Sequence, residues 1–160
     1  MITGPCGAGK TSVAFECMEL LDRALVPAAM VDAELAYFHP KPPGDPHGYG
    51  VAEEGLRTLW TVYAAQGIER LLLPRVVEDE EQRAIVERAV PGARIRILRL
   101  VASPDTIRER LAKREIGSAL EWHERRSTEI AEATLGEPVD AERPVGAIAR
   151  DVLARAGWLR

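Results

Sequence analysis

Eight residues near the start of the chain combine glycines, a lysine and a hydroxyl side chain at a spacing suited to binding phosphate. In order they are Gly4, Pro5, Cys6, Gly7, Ala8, Gly9, Lys10 and Thr11. The string matches the pattern G-x-x-x-x-G-K-[ST] in full. Its glycines let backbone N–H groups turn inward around phosphate oxygens. We expect Lys10 to reach the β- and γ-phosphates of a nucleotide, the Thr11 hydroxyl to ligate Mg²⁺, and the contacts to extend to Ser12.

Secondary-structure elements must hold this loop in place. The spacing of apolar residues predicts helices that alternate with short strands. An amphipathic helix over 11–25 follows the loop directly, so its positive end would face a bound anion. Further helices are expected near 56–67, 79–91, 104–111, 119–135 and 145–157, and strands at 28–31, 71–77, 95–101 and Val139. Such alternation is typical of an α/β domain with a largely parallel sheet. Only Met1, Ile2 and Thr3 precede the loop, so either the first strand is very short or the native start lies upstream.

Composition narrows the classes of protein. The 160 residues fit one domain, and 46% apolar residues can bury a sizeable core. Lysine and arginine number 21 against 25 aspartates and glutamates, giving a net charge of −4, which disfavours general binding to nucleic acid. No apolar run approaches the ~18 residues that a membrane span needs. With no signal peptide and only two cysteines, we expect a single cytoplasmic domain over 1–160 without a membrane partner.

The loop and three further segments resemble the small P-loop kinases of the nucleoside-monophosphate-kinase-like group. That group includes shikimate, gluconate and adenylylsulfate kinases and chloramphenicol phosphotransferase. The segments are 31–35, 98–104 with 108–115, and an arginine-rich stretch ending at Arg125-Arg126. The chain is also similar to a group of uncharacterised actinobacterial ATP-binding proteins with a comparable helix end at 154–158.

The resemblance covers nearly the whole chain and implies an architecture. It predicts a three-layer P-loop NTPase fold with a five-stranded, mainly parallel sheet, helices on both faces and a helical lid over about 114–128. Four prolines and three glycines within 39–50 exclude a regular helix or strand there. We expect 37–50 to form a substrate loop, in which Tyr37, Phe38 and His39 could line an acceptor pocket.

Asp32 follows the second predicted strand. In an open α/β sheet, ligands bind beyond the carboxyl ends of the strands, where Asp32 would lie. The resemblance implies that an acidic residue here binds the acceptor or takes its proton, with Glu34 as the second candidate. The alternative is that Asp32 caps a following helix, and the two interpretations are compatible.

Arg110 and Arg114 are four residues apart and therefore share one helix face. The resemblance implies that Arg110 packs on adenine and that Arg114 begins the lid as a catalytic residue. Arg125 or Arg126 could supply a second lid arginine or contact the substrate. The alternative for all four is a solvated helix face stabilised by ion pairs four residues apart.

The third strand departs from the usual P-loop pattern. Many P-loop enzymes place an aspartate directly after this strand to hold Mg²⁺, whereas this chain has Pro74-Arg75. Glu78 or Asp79 could substitute, or Thr11 and waters could suffice together with Asp32. Arg75 could instead face an anionic group of the substrate. In the resembled kinases the second helix borders the acceptor, so Arg57 on this helix is a further candidate to contact the substrate.

These residues favour a phosphotransferase that moves the γ-phosphate of Mg-ATP to a hydroxyl of a small molecule. Two alternatives stay open at the level of sequence. One is an ATP-binding switch or an ATPase without a small-molecule acceptor, suggested by the missing acid after strand three. The other is a polynucleotide end kinase, which the net charge of −4 makes the least favoured.

Overall fold

The computed structural model describes residues 1–32, 39–113, 117–131 and 135–159. Within these ranges helices and strands alternate as the periodicity predicts. The strands are β1 (Ile2–Thr3), β2 (Ala29–Met30), β3 (Leu71–Leu72), β4 (Leu98–Val101) and β5 (Glu137–Asp140). The helices are α1 (Lys10–Arg23), α2 (Tyr49–Ala65), α3 (Glu80–Ala89), α4 (Pro104–Ala112), α5 (Ser118–Ala131) and α6 (Val145–Ala156).

All the strand pairs are parallel. One sheet has the order β1-β4-β5 and a second pairs β2 with β3. A single bridge between Ile2 and Pro74 joins them, because the Ile2 N–H donates to the Leu73 carbonyl (3.0 Å) and the Arg75 N–H donates to the Ile2 carbonyl (3.1 Å). The predicted five-stranded sheet is thus present as three strands plus two. Pro74 has no N–H to extend the ladder, and β1 contributes only two residues.

Helices cover both faces of the strands. Successive strand residues point to opposite faces, so Leu72 and Leu73 enter different clusters. Leu72 packs with the apolar faces of α1 and α6, whereas Leu73 packs with residues of α2 and α3. Trp60 and Tyr63 of α2 are partly buried against the second cluster. The result is the expected arrangement of a parallel sheet between two helical layers.

Capping residues fix several helix ends at the predicted places. Ser103 precedes Pro104 and its hydroxyl accepts the Thr106 N–H (3.2 Å). The Asp79 carboxylate accepts the Gln82 N–H (2.9 Å) at the start of α3. A left-handed Gly157 ends α6. These caps satisfy N–H and carbonyl groups that a helix end leaves without an intrahelical partner.

Three predicted boundaries were wrong. Helix α2 begins at Tyr49, inside the segment expected to be irregular, because the Asp45 carboxylate accepts the N–H groups of Tyr49 (2.8 Å) and Gly50 (2.9 Å) and so caps the first turn. Strand β4 begins at Leu98 instead of residue 95. Apolar side chains at Ile95 and Ile97 do not by themselves provide a neighbouring strand for pairing. Strand β3 ends at Leu72 instead of residue 77, because Pro74 has no N–H to extend the ladder. The predicted end of helix α5 at residue 135 follows 132–134, which lie outside the described residues, and the helix is described over Ser118–Ala131.

Among the residues that the structure describes, every helix is too short or too polar to cross a bilayer.

Gly4 provides a test of how closely the loop packs against strand β4. A Cβ at Gly4 would lie 2.6 Å from the Leu100 carbonyl oxygen, and the residue has φ 134°. Gly67 also has a positive φ (80°), but nothing lies within 4 Å of its Cβ position. We expect Gly67→Ala to cost about 1–2 kcal/mol of unfolding free energy and Gly4→Ala to cost more than about 3 kcal/mol.

Urea denaturation of both variants measures the difference. Equal losses would show that backbone conformation, rather than the close approach to β4, is what requires glycine at residue 4.

Candidate active site

The phosphate-pattern loop spans the turn between β1 and α1. Gly9 is the N-cap of α1 and is left-handed (φ 93°), with nothing within 4 Å of its Cβ position. Gly7 is packed against α4, because a Cβ there would lie 3.0 Å from Leu111 Cγ and 3.1 Å from the Ile107 carbonyl oxygen. The loop is therefore backed by α4 on one side and open at Gly9. The N–H groups of the first turn of α1 favour an anion at this open end.

Lys10 folds back over the loop. Its ammonium donates to the carbonyl oxygens of Gly4 (2.9 Å) and Pro5 (3.0 Å). Both contacts lie within the loop itself, so the charge is kept beside the backbone N–H groups. An ammonium with three donors can hold these carbonyls and still approach an anion.

A cavity of about 520 Å³ opens in front of the loop. Its walls come from the loop, from the carboxyl ends of strands and from α4, α5 and α6. The lining residues are Cys6–Val13, Asp32, Pro74, Arg75, Val76, Arg110, His123, Arg143, Val145 and Ile148. The fold thus brings Asp32, Arg75 and Arg110 to the loop, and for Asp32 this is what the strand-edge argument predicts. Thr11 and Ser12 line the same cavity.

The cavity is strongly cationic. Lys10, Arg75, Arg110 and Arg143 line it, whereas Asp32 is the single carboxylate among its described lining residues. Asp32 is exposed to solvent. Four cations around one carboxylate make a site that attracts anions such as phosphate groups.

Arg110 connects two parts of the cavity wall. Its guanidinium donates to the Ala8 carbonyl (3.4 Å) and to the Ala141 carbonyl (2.8 Å). It therefore ties the phosphate-pattern loop to the segment after β5. The face of a guanidinium held by its edges can stack on a planar ring.

Arg143 is a cavity residue that the sequence analysis missed. It lies between β5 and α6, and Asp151 accepts its Nη2 hydrogen (2.7 Å). Hydrogen bonds from Arg155 and then from Arg143 hold the pKa of Asp151 below its usual value. The signal that could have found Arg143 is its position just after a parallel strand, at the edge where ligands bind.

Helix α5 is docked onto the loop. The Ser127 hydroxyl is buried and donates to the Cys6 carbonyl (2.8 Å). Arg126 forms an ion pair with Glu78 instead of lining the cavity, and Arg125 lies in a separate groove between α4 and α5. His123 does reach the cavity. The helix is thus attached to the loop through Ser127 and to the region after β3 through Arg126.

Two carboxylates suggested as replacements for the missing metal acid are engaged elsewhere. Glu78 pairs with Arg126, and Asp79 caps α3. Neither lines the cavity among its described residues. Of the described carboxylates, Asp32 is therefore the one that shares a cavity with the Thr11 hydroxyl. Oxygen atoms of these two types suit Mg²⁺, which usually keeps several waters and takes few protein ligands.

Other predicted residues lie apart from the cavity or outside the described part. Arg57 forms ion pairs on the surface of α2 with Glu53 (2.5 Å) and with Glu54, and is not among the residues that line the cavity. Arg114 and Glu34 lie outside the described residues, as do Tyr37 and Phe38, so their predicted roles stay predictions. The capping role suggested for Asp32 also stays a prediction, because the residues that follow it, 33–38, lie outside the described part.

Comparison with solved structures identifies the fold. A sugar kinase from Janibacter sp. HTCC2649 is similar over 98% of this chain and 92% of its own, with a TM-score of 0.67 at 18% identity. A gluconokinase from Sinorhizobium meliloti 1021 gives 0.60 at 20% identity, over 96% and 87% of the two chains. The APS kinase of Mycobacterium tuberculosis, solved with AMPPNP and APS, gives 0.60 at 17% identity, over 98% and 95%.

These similarities confirm, at the level of fold, the resemblance to the small P-loop kinases. No protein-family model and no curated protein sequence matches the chain. Because the identities are low, substrate and activity have to be argued from the residues of the site.

Ser127 provides a test of the contact between α5 and the loop. Removing its hydroxyl leaves the Cys6 carbonyl without this donor, so we expect Ser127→Ala to cost about 1–2 kcal/mol of unfolding free energy. The neighbouring Thr128 hydroxyl bonds within α5, to the Glu124 carbonyl (3.2 Å), and is exposed. Thr128→Ala should change stability by less than about 0.5 kcal/mol. Urea unfolding compares the two, and equal losses would contradict the attachment through Ser127.

Proposed function

We propose that this protein is an ATP-dependent phosphotransferase that moves the γ-phosphate of Mg-ATP to a hydroxyl group of a small molecule. The observation that carries the proposal is one cavity lined by Cys6–Thr11 of the phosphate-pattern loop, a strand-end carboxylate and three arginines. A phosphoryl transferase needs this combination, since its chemistry is mainly positioning and charge neutralisation. The fold shared with a sugar kinase, a gluconokinase and an APS kinase agrees with it.

The nucleotide would bind across the loop. Backbone N–H groups between Gly4 and Ser12, which Pro5 lacks, would surround the phosphates, and Lys10 would exchange part of its contact with the loop carbonyls for the β- and γ-phosphates. The guanidinium of Arg110, held at both ends, would stack on the adenine. Mg²⁺, held by the Thr11 hydroxyl, would supply charge neutralisation on the transferred group.

Asp32 would act on the acceptor. Its carboxylate would accept the hydrogen of the acceptor hydroxyl and orient the oxygen in line with the γ-phosphorus. As the new oxygen–phosphorus bond forms and the bond to the β-phosphate oxygen breaks, the proton would pass to Asp32. Arg114 would neutralise charge from the lid, and Glu34 would be a second contact for the acceptor.

Two segments would enclose the substrate. We propose a lid over about 114–128 and a substrate loop over about 37–50, both within one domain that spans 1–160 and works in the cytoplasm. Closure would exclude water and so favour transfer to the acceptor over hydrolysis. Arg126, which pairs with Glu78, would be released toward the substrate on closure.

One observation favours a second candidate function. The cavity has Pro74 and Arg75 where many P-loop enzymes hold a metal-binding aspartate. A protein that binds ATP without transferring phosphate, a switch or a slow ATPase, would tolerate that replacement. The two candidates differ in whether phosphate reaches an organic product.

Lys10→Ala tests the nucleotide site. We expect transfer of label from γ-labelled Mg-ATP to a pool of hydroxylated metabolites to fall by about 100- to 1,000-fold, because a preorganised charge on the phosphates is lost. Lys113→Ala is the matched control, since Lys113 is exposed and pairs with Glu109 (2.6 Å) on α4. Label in an organic product with wild type and Lys113→Ala supports a kinase. ATP binding that depends on Lys10, with no labelled organic product, would instead support the second candidate, a switch or slow ATPase.

Asp32→Asn tests the acceptor side separately. The amide cannot take the proton, so we expect kcat for organic transfer to fall by about 100-fold or more, while the Kd for AMPPNP changes by less than about threefold. Asp22→Asn, on the exposed part of α1, is the control and should leave both quantities unchanged. An unchanged kcat in Asp32→Asn would remove Asp32 from the reaction, and a parallel loss of AMPPNP affinity would place it with the nucleotide instead.

A further inference from the structure

Arg75 has no task in the function proposed above. Its backbone N–H donates to the Ile2 carbonyl (3.1 Å), which fixes it one residue beyond the bridge at Pro74. The side chain is half-buried and lines the cavity together with Asp32 and Lys10. An arginine thus stands at the strand end where a metal-binding acid is common.

The register of the short sheet brings Arg75 close to Asp32 in the fold. Strands β2 and β3 pair Met30 with Leu72, and the Val31 N–H donates to the Leu72 carbonyl (3.0 Å). Two residues further along the strands are Asp32 and Pro74. Because the strands are parallel, Asp32 and Arg75 leave the sheet at the same edge, with Arg75 one residue beyond the position opposite Asp32.

The other cavity cations belong to the nucleotide side. Lys10 contacts the loop carbonyls, Arg110 bridges the loop and the segment after β5, and Arg143 pairs with Asp151. Arg75 instead follows β3, the strand paired with the one that precedes Asp32, and its Nε–H donates to the Val76 carbonyl (3.4 Å). Of the four cations among the described lining residues, it is the one that directly follows the strand next to Asp32.

We propose that Arg75 binds an anionic group of the acceptor, so that the substrate is a hydroxy acid or a phosphorylated alcohol. This inference rests on the proposed function, whose acceptor it specifies. A guanidinium holds carboxylate or phosphate oxygens by two parallel hydrogen bonds, and partial burial strengthens the attraction. Anchoring the charged end on Arg75 would leave a hydroxyl of the same molecule beside the neighbouring Asp32. The distance between Arg75 and Asp32 would then select acceptors by the separation between their anionic group and their hydroxyl.

Binding without turnover tests the anion site. The full chain, saturated with AMPPNP and Mg²⁺, is titrated calorimetrically with threonate, ribonate and gluconate, each against its primary amide. Glycerol 3-phosphate and ribitol 5-phosphate are titrated against glycerol and ribitol. We expect at least one anion to bind about tenfold or more tightly than its neutral partner, as the loss of a charge-assisted hydrogen bond predicts. The carboxylate and phosphate arms identify which oxyanion the site takes.

Variants assign that preference to Arg75. Arg75→Gln should reduce it to within about twofold, and Arg75→Lys should keep part of it because the charge remains. Arg83→Gln is the control and should retain the full preference, since Arg83 pairs with Glu80 (3.0 Å) and Glu87 (2.8 Å) on α3. Circular dichroism verifies that each variant is folded.

Three results would overturn the inference. They are equal binding of every anion and its neutral partner, a preference that survives in Arg75→Gln, and a loss of AMPPNP affinity in Arg75→Gln, which would place Arg75 on the nucleotide. Transfer of labelled phosphate to the same compounds reports separately on the proposed function. Arg75-dependent anion binding without transfer would contradict the kinase but keep the anion site. Transfer to an anionic acceptor that is undiminished in Arg75→Gln would do the reverse.

Discussion

The arrangement depends on the two residues of β1 being held from both sides. Ile2 pairs with Leu98 of β4, while its N–H and carbonyl bond to Leu73 and Arg75 at the end of β3. Parallel strands that meet at one edge bring their following loops together. Fixing β1 therefore fixes the phosphate-pattern loop that follows it, and the same hydrogen bonds fix Arg75. A short strand is sufficient because its neighbours supply the pairing and the helices on both faces supply the burial.

Packing around the loop is as specific as the loop motif itself. Gly4 lies against the backbone of β4 and Gly7 against α4, so the loop has little freedom to collapse into the cavity. Arg110 and Ser127 then attach α4 and α5 to the loop through its carbonyl groups. These contacts use carbonyl oxygens, which leaves backbone N–H groups of the loop for an anion. A preorganised site of this kind loses little free energy to reorganisation when phosphate binds.

The cavity charges divide between the two partners of the proposed reaction. In that proposal three of the four cations face the nucleotide, whose phosphate oxygens carry several negative charges. Asp32 and Arg75 follow the paired strands β2 and β3 and line the same cavity, one suited to a hydroxyl and the other to an oxyanion. The exchange of an acid for an arginine after β3 therefore changes what the site can recognise, and leaves fewer carboxylates for a metal ion.

The sequence by itself determined the α/β class, the phosphate-binding loop and the position of Asp32, because each depends on local spacing or on which residue follows a strand. It also determined the helix starts near residues 79 and 104, because the caps at Asp79 and Ser103 are local hydrogen bonds. The start of α2 and the division of the sheet were decided only by the tertiary structure. So were the placement of Arg143 in the cavity and of Arg57 outside it, since both depend on which distant elements pack together. Such long-range contacts decide which groups an arginine meets, and the spacing of residues in the sequence does not predict them.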